Sequence, residues 1–128
     1  MKQIESREDI SVLVNTFYGR IREDELLGPI FNHHIEVDKW PEHLSMLTDF
    51  WEMNLFGTGE FKGKPGMKHI MVDRSLKEGM KEDHFRQWIG LWFETLDSLF
   101  EGSRVELAKD RAIQMANGQF RMVMRSRS

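Results

Sequence analysis

His69 is a candidate metal ligand because of the segment that delivers it. Between Phe56 and Met67 the chain carries four glycines and one proline, a density that no continuous helix or strand would tolerate. This stretch predicts a loop, and three apolar residues at 70–72 follow the histidine. The pattern favours an imidazole at the mouth of an apolar pocket, although a histidine in a surface loop remains the alternative.

Three further polar side chains lie on otherwise apolar helical faces. Tyr18 stands three residues before Ile21, His43 stands four residues before Leu47, and Trp88 lies at the centre of an aromatic-rich face. Each alone is typical of a core residue whose polar atom finds a local partner. Together they place several hydrogen-bond donors inside one core.

Helical spacing of apolar residues predicts four substantial helices. The first runs about four turns from a cap at Ser6, and the second runs from a cap at Asp38 to about Phe56. The third ends at Gly102, and the fourth begins at a cap at Ser103. No alternating pattern predicts a strand, so the expected class is all-α.

Composition limits the function classes. The 128 residues are 40% hydrophobic, which predicts a single domain over residues 1–128. The net charge of -3 is spread along the chain, so we expect no nucleic-acid partner, and the absence of cysteine excludes thiolate chemistry. No apolar run reaches the roughly 20 residues that span a bilayer, and the polar N-terminus is unlike a signal peptide, so we expect no membrane partner and a cytoplasmic location.

The four polar residues have a joint interpretation. One inward histidine, opposed by tyrosine, histidine and tryptophan donors across a space lined by Phe and Leu, is what a haem pocket requires. Iron takes an imidazole on one face, and dioxygen bound on the other carries partial negative charge that donors stabilise. The hypothesis is therefore a haem iron held by His69, with Tyr18, His43 and Trp88 as the opposed donors.

The chain also resembles a known family, the truncated haemoglobins, and in particular their group III branch. The absence of a Gly-Gly pair suits that branch, which lacks the double-glycine signatures of the others. The matching segments are collinear and cover most of the chain: Phe17-Tyr18, Leu27-Gly28-Pro29-Ile30-Phe31-Asn32, Trp40-Pro41-Glu42-His43, Phe50-Trp51, Lys68-His69-Ile70, and His84-Phe85 through Trp88 to Leu91-Trp92.

The resemblance implies a two-over-two helical sandwich that binds haem b with its iron. It makes His69 the proximal ligand, Tyr18 and Trp88 the distal donors, and His43 a distal histidine that gates the pocket. Phe31 would pack against the porphyrin. The other residues that it implies as cofactor-binding or pocket-lining are Phe17, Leu47, Trp51 and Trp88.

The same resemblance implies small-molecule partners. The ligands would be dioxygen, nitric oxide or peroxide, and a reductase would return the iron to its ferrous state. It suggests nitric oxide dioxygenase-like or peroxidase-like chemistry, or tight oxygen retention, in place of bulk transport. The residues by themselves choose none of these reactions.

Two interpretations from other classes stay open at this stage. One is a haem-free helical interaction module whose four tryptophans form a core or a partner groove. The other is a metal-binding bundle that uses His43, His69 and a carboxylate. His84 also competes with His69 as a ligand, although its position one residue before an apolar stripe favours a role in bordering that helix.

Overall fold

The computed structural model of the chain describes residues 1–57 and 81–127, and for residues 34 and 118–127 it describes the backbone. In these ranges the chain is helical without a strand, and a single β-bridge joins Lys2 to Phe100. The all-α prediction is confirmed. The helices are α1 (Arg7–Glu23), α2 (Gly28–His34), a 3-10 turn (Val37–Lys39), α3 (Trp40–Phe56), α4 (Glu82–Leu99) and α5 (Ser103–Arg127). His69 lies outside the described residues.

Helix α1 is the central element of the packing. It contacts α3 on one side and α4 on another, α2 folds back on it, and α4 pairs with α5. Its buried face follows the predicted helical spacing: Ile10, Leu13, Val14, Phe17, Tyr18 and Ile21. The predicted cap is present as well, because the Ser6 hydroxyl accepts a hydrogen bond from the Asp9 backbone N–H at 3.3 Å.

The turn between α1 and α2 depends on a close backbone approach. A Cβ atom placed on Gly28 would lie 2.6 Å from the backbone oxygen of Arg22, which is inside van der Waals contact. Only glycine therefore lets α2 begin this close to the end of α1. Pro29 follows in the first turn of α2, where its missing N–H leaves no hydrogen bond unmade. This tight corner brings Phe31 back onto α1.

Asp24 holds the same corner against α4. Its carboxylate accepts hydrogen bonds from the backbone N–H groups of residues 26 and 27 at 3.0 and 2.9 Å, and from the Gln87 side chain at 2.7 Å. Burial alone would raise the pKa of this carboxyl, but the hydrogen bonds outweigh it and the pKa lies below its ordinary value. The ionised form of Asp24 therefore stabilises the fold.

Helix α3 departs from the predicted start. Asp38 lies in the 3-10 turn that precedes the helix, and no side-chain cap is present at either element. The predicted cap at Asp38 is therefore wrong: α3 begins at Trp40, and Pro41 occupies its first turn. The predicted end at Phe56 is confirmed, and Gly57 follows in a left-handed conformation with φ 70°.

Asp24→Asn should lower the free energy of unfolding at neutral pH by about 1–2 kcal/mol, because the amide accepts the same N–H groups less strongly. The contribution of Asp24 is present above the ordinary carboxyl pKa and is lost as pH falls through the lowered folded-state pKa. The variant should therefore lose less stability between pH 7 and acid than the parent in urea titrations. Glu25→Gln, at an exposed neighbouring carboxyl, is the control. Equal acid sensitivity of all three proteins would contradict this role.

Candidate functional site

Tyr18 is the centre of an aromatic cluster built from three helices. Its side chain is 3% exposed, and its ring centroid lies 4.8 Å from that of Phe17 and 6.2 Å from that of Phe31. From α3, the rings of Trp40 and His43 each approach to 5.9 Å. The structure thus brings together Tyr18, His43, Phe17 and Phe31, four of the residues that the sequence predicts for the site.

The Tyr18 hydroxyl is kept neutral by its surroundings. Burial raises its pKa above the ordinary value, and hydrogen bonding from the Trp88 indole on α4 acts to lower it. Burial dominates, so the phenol keeps its proton throughout the physiological range. Trp88 and Tyr18, predicted to work together, are therefore partners across the α1–α4 contact.

Phe17 connects this cluster to a stack of indoles. Its ring lies 5.5 Å from that of Trp88 and 4.8 Å from that of Trp92. Trp92 in turn stacks on Trp88 at 6.2 Å and on Trp51 at 4.7 Å. Trp51 therefore packs on Trp92, and Leu47 is buried in the same core.

Trp40 is a residue of the cluster that the sequence reasoning left without a role. Its ring lies 5.9 Å from Tyr18 and 5.5 Å from His43, and the Arg22 guanidinium lies over it at 4.8 Å from the ring centroid. The signal was available, because Trp40 and His43 are three residues apart on one helix and so share a face. His43 is half-buried beside it.

No family model matches the chain. A group 3 truncated haemoglobin of Campylobacter jejuni is 30% identical over 114 residues, which cover 88% of this chain and 86% of that protein. The crystal structure of the group III truncated haemoglobin from Campylobacter jejuni matches with a TM-score of 0.83 and 29% identity, over 96% of this chain and 95% of that one.

This chain belongs to the group III truncated haemoglobins. The family suggested by the matching segments is confirmed, as is the truncated-globin architecture. These matches cover most of the chain and leave the roles of individual side chains to be argued from their geometry.

His84 of this truncated haemoglobin has a structural task. Its Nδ1 accepts a hydrogen bond from the Lys81 backbone N–H at 2.9 Å, at the start of α4. His84 therefore borders the first turn of α4, which is the role that its position in the sequence favours. In residues 1–57 and 81–127, moreover, no group of three or more histidines and carboxylates is arranged to hold a metal ion. His69, which the metal-binding interpretation uses together with His43, lies outside those ranges, so that interpretation stays untested.

The four tryptophans do not form an exposed groove. All of them are buried in the core of the described structure: Trp40, Trp51, Trp88 and Trp92. Within that part of the chain no helix is both long and apolar enough to cross a membrane. An interaction module that presents these indoles to a partner is therefore not favoured by their positions.

Tyr18 is the only tyrosine of the chain, so tyrosinate absorbance reports on this side chain alone. In the folded protein no tyrosinate should form near pH 10, where an exposed tyrosine titrates. Because the unfolded phenol ionises first, the stability that the neutral phenol contributes is present below about pH 10 and is lost as pH rises further. Tyrosinate should therefore appear together with loss of helical circular dichroism. A reversible titration near pH 10 with the helices intact would show an exposed phenol and contradict the cluster.

Proposed function

We propose that this protein would hold haem b through His69 and would bind dioxygen or related diatomic molecules beside Tyr18. The observation that carries the proposal is the burial of a neutral Tyr18 hydroxyl, beside the Trp88 indole, in a member of the truncated haemoglobin family. His69 enters through its loop context and the family resemblance.

The residues around Tyr18 fit such a cofactor. Phe17, Phe31, Leu47 and Trp51 are all buried and apolar, as the walls of a porphyrin pocket must be. Few polar groups lie near these walls. Tyr18 and Trp88 can both donate a hydrogen bond, which suits a ligand carrying partial negative charge. When bound, the haem supplies an iron that coordinates the diatomic ligand.

The Tyr18–Trp88 pair acts as one donor unit. A phenol has one proton to donate and two lone pairs that accept. We assign the Trp88 indole, which acts to lower the pKa of the Tyr18 phenol, as donor to a lone pair of the Tyr18 oxygen. That donation would leave the phenol proton available for the ligand and polarise the O–H bond. Because the site is buried, this hydrogen bond is stronger than it would be in water and slows the escape of a polar ligand.

His43 stands at the rim of the same cluster. Its half-buried imidazole packs edge-on against Tyr18 and Trp40. A side chain that is partly in the core and partly in solvent is placed to move between the two. We therefore assign His43 to the control of ligand entry, and Tyr18 and Trp88 to retention.

The donor set favours chemistry on the ligand. Hydrogen bonds that pull on a bound dioxygen or peroxide polarise its O–O bond, which promotes reaction with nitric oxide or peroxide or else very tight retention. Turnover of that kind requires an electron donor, so a reductase is the partner that the proposal implies.

Tyr18→Phe should increase the oxygen dissociation rate on the order of tenfold, because it removes the phenol proton and keeps the ring. The binding rate of carbon monoxide, a weak hydrogen-bond acceptor, should stay close to that of the parent. His43→Ala is the matched comparison: it should speed carbon monoxide entry by opening the rim. Both rates follow from flash photolysis and stopped-flow mixing of the haem-loaded proteins. Unchanged oxygen dissociation in Tyr18→Phe would refute the retention role, and unchanged carbon monoxide entry in His43→Ala would refute the gate.

A further inference from the structure

The indole N–H of Trp40 is a buried hydrogen-bond donor that has no acceptor in the described part of the chain. The side chain is 2% exposed, and no acceptor for Nε1 lies among the atoms described in residues 1–57 and 81–127. Burying an N–H group without an acceptor costs as much as losing a hydrogen bond, so such groups are rare unless a bound molecule meets them. Trp40 therefore needs an acceptor from outside the described chain atoms.

Trp92 shows how the same fold treats an ordinary core indole. Its side chain is fully buried, and its N–H donates to the backbone oxygen of Ala108 at 3.1 Å. The indole N–H of Trp92, a residue that only packs in the core, thus has a backbone acceptor. The indole N–H of Trp40 has none in the described part of the chain.

The position of Trp40 limits where its acceptor can be. One face of the ring is covered by the Arg22 guanidinium at 4.8 Å, and Arg22 is itself held by Asn32, whose side-chain oxygen accepts from Arg22 Nε at 3.2 Å. The ring also lies against Tyr18 and His43, at 5.9 and 5.5 Å. Bulk water is excluded by burial, so a small molecule enclosed beside Tyr18 is the acceptor that this arrangement favours.

We propose that the Trp40 N–H is a second hydrogen-bond donor to the polar diatomic ligand, acting beside the Tyr18–Trp88 pair. The inference rests on the proposed function, because it needs a ligand bound next to Tyr18. It deepens that function by assigning Trp40 as a residue that discriminates ligands: dioxygen, which gains partial negative charge when bound, would be retained, and carbon monoxide, a poor acceptor, would not. An indole does not ionise in the physiological range, so its donation is constant.

Trp40→Phe tests the donor and keeps an aromatic ring against Tyr18, His43 and Arg22. The oxygen dissociation rate of the haem-loaded variant should rise roughly fivefold to tenfold, while carbon monoxide dissociation stays near that of the parent. Trp92→Phe is the matched control. It loses the hydrogen bond to Ala108, so its melting temperature should fall while its oxygen dissociation rate stays that of the parent.

A second measurement on the parent protein covers the case in which Trp40→Phe fails to fold or to load haem. The indole N–H resonances of 15N-labelled protein are compared between the carbon monoxide and oxygen forms, which are both diamagnetic. The Trp40 proton should move downfield in the oxygen form, because a hydrogen bond forms there, and the Trp92 proton should not move. A Trp40 resonance that stays in place as Trp92 does would overturn the proposal.

The outcomes separate this inference from the function on which it rests. Absence of a Soret band after addition of hemin would refute the proposed function itself. If the haem-loaded Trp40→Phe variant has the oxygen dissociation rate of the parent, this inference alone is refuted. Faster carbon monoxide entry with unchanged oxygen dissociation would also overturn it, since the N–H would then hold an enclosed water and not the ligand.

Discussion

The burial of one hydroxyl group, that of Tyr18, is the constraint on which the site depends. A phenol in an aromatic core loses its contact with water and needs a hydrogen-bond partner, and the Trp88 indole of α4 is the group that acts on its pKa. That contact joins α1 to α4, while the rings of Trp40 and His43 join the same residue to α3. The packing of the central helices and the composition of the site therefore have a common origin.

The corner between α1 and α2 positions an apolar side chain next to Tyr18. Gly28 permits the close approach of the two helices, and Asp24 ties the turn to Gln87 on α4. As a result the Phe31 ring lies edge-on to Tyr18, with 6.2 Å between the ring centroids. Residues with no chemistry of their own thus fix the spacing between the donors and the apolar wall.

Helical periodicity accounts for what the sequence could predict. The burial of Tyr18 and Trp88 followed from their place on apolar faces, and so did the all-α class. The start of α3 did not follow, because capping depends on backbone geometry that a lone Asp38 does not determine. The unmet N–H of Trp40 could not be predicted either, since the satisfaction of a donor is a property of tertiary packing and not of spacing. The role of His69 stays a prediction.

The central claim is that these buried donors face a haem iron held by His69, and titration with hemin tests it most directly. The parent chain should show a Soret band that saturates at one hemin per chain, and ferrous protein should give a stable low-spin carbon monoxide form. His69→Ala should lose most of its haem to an apomyoglobin acceptor under conditions in which the parent retains it. Absence of a Soret band in the parent, or equal retention of haem by His69→Ala, would contradict the account.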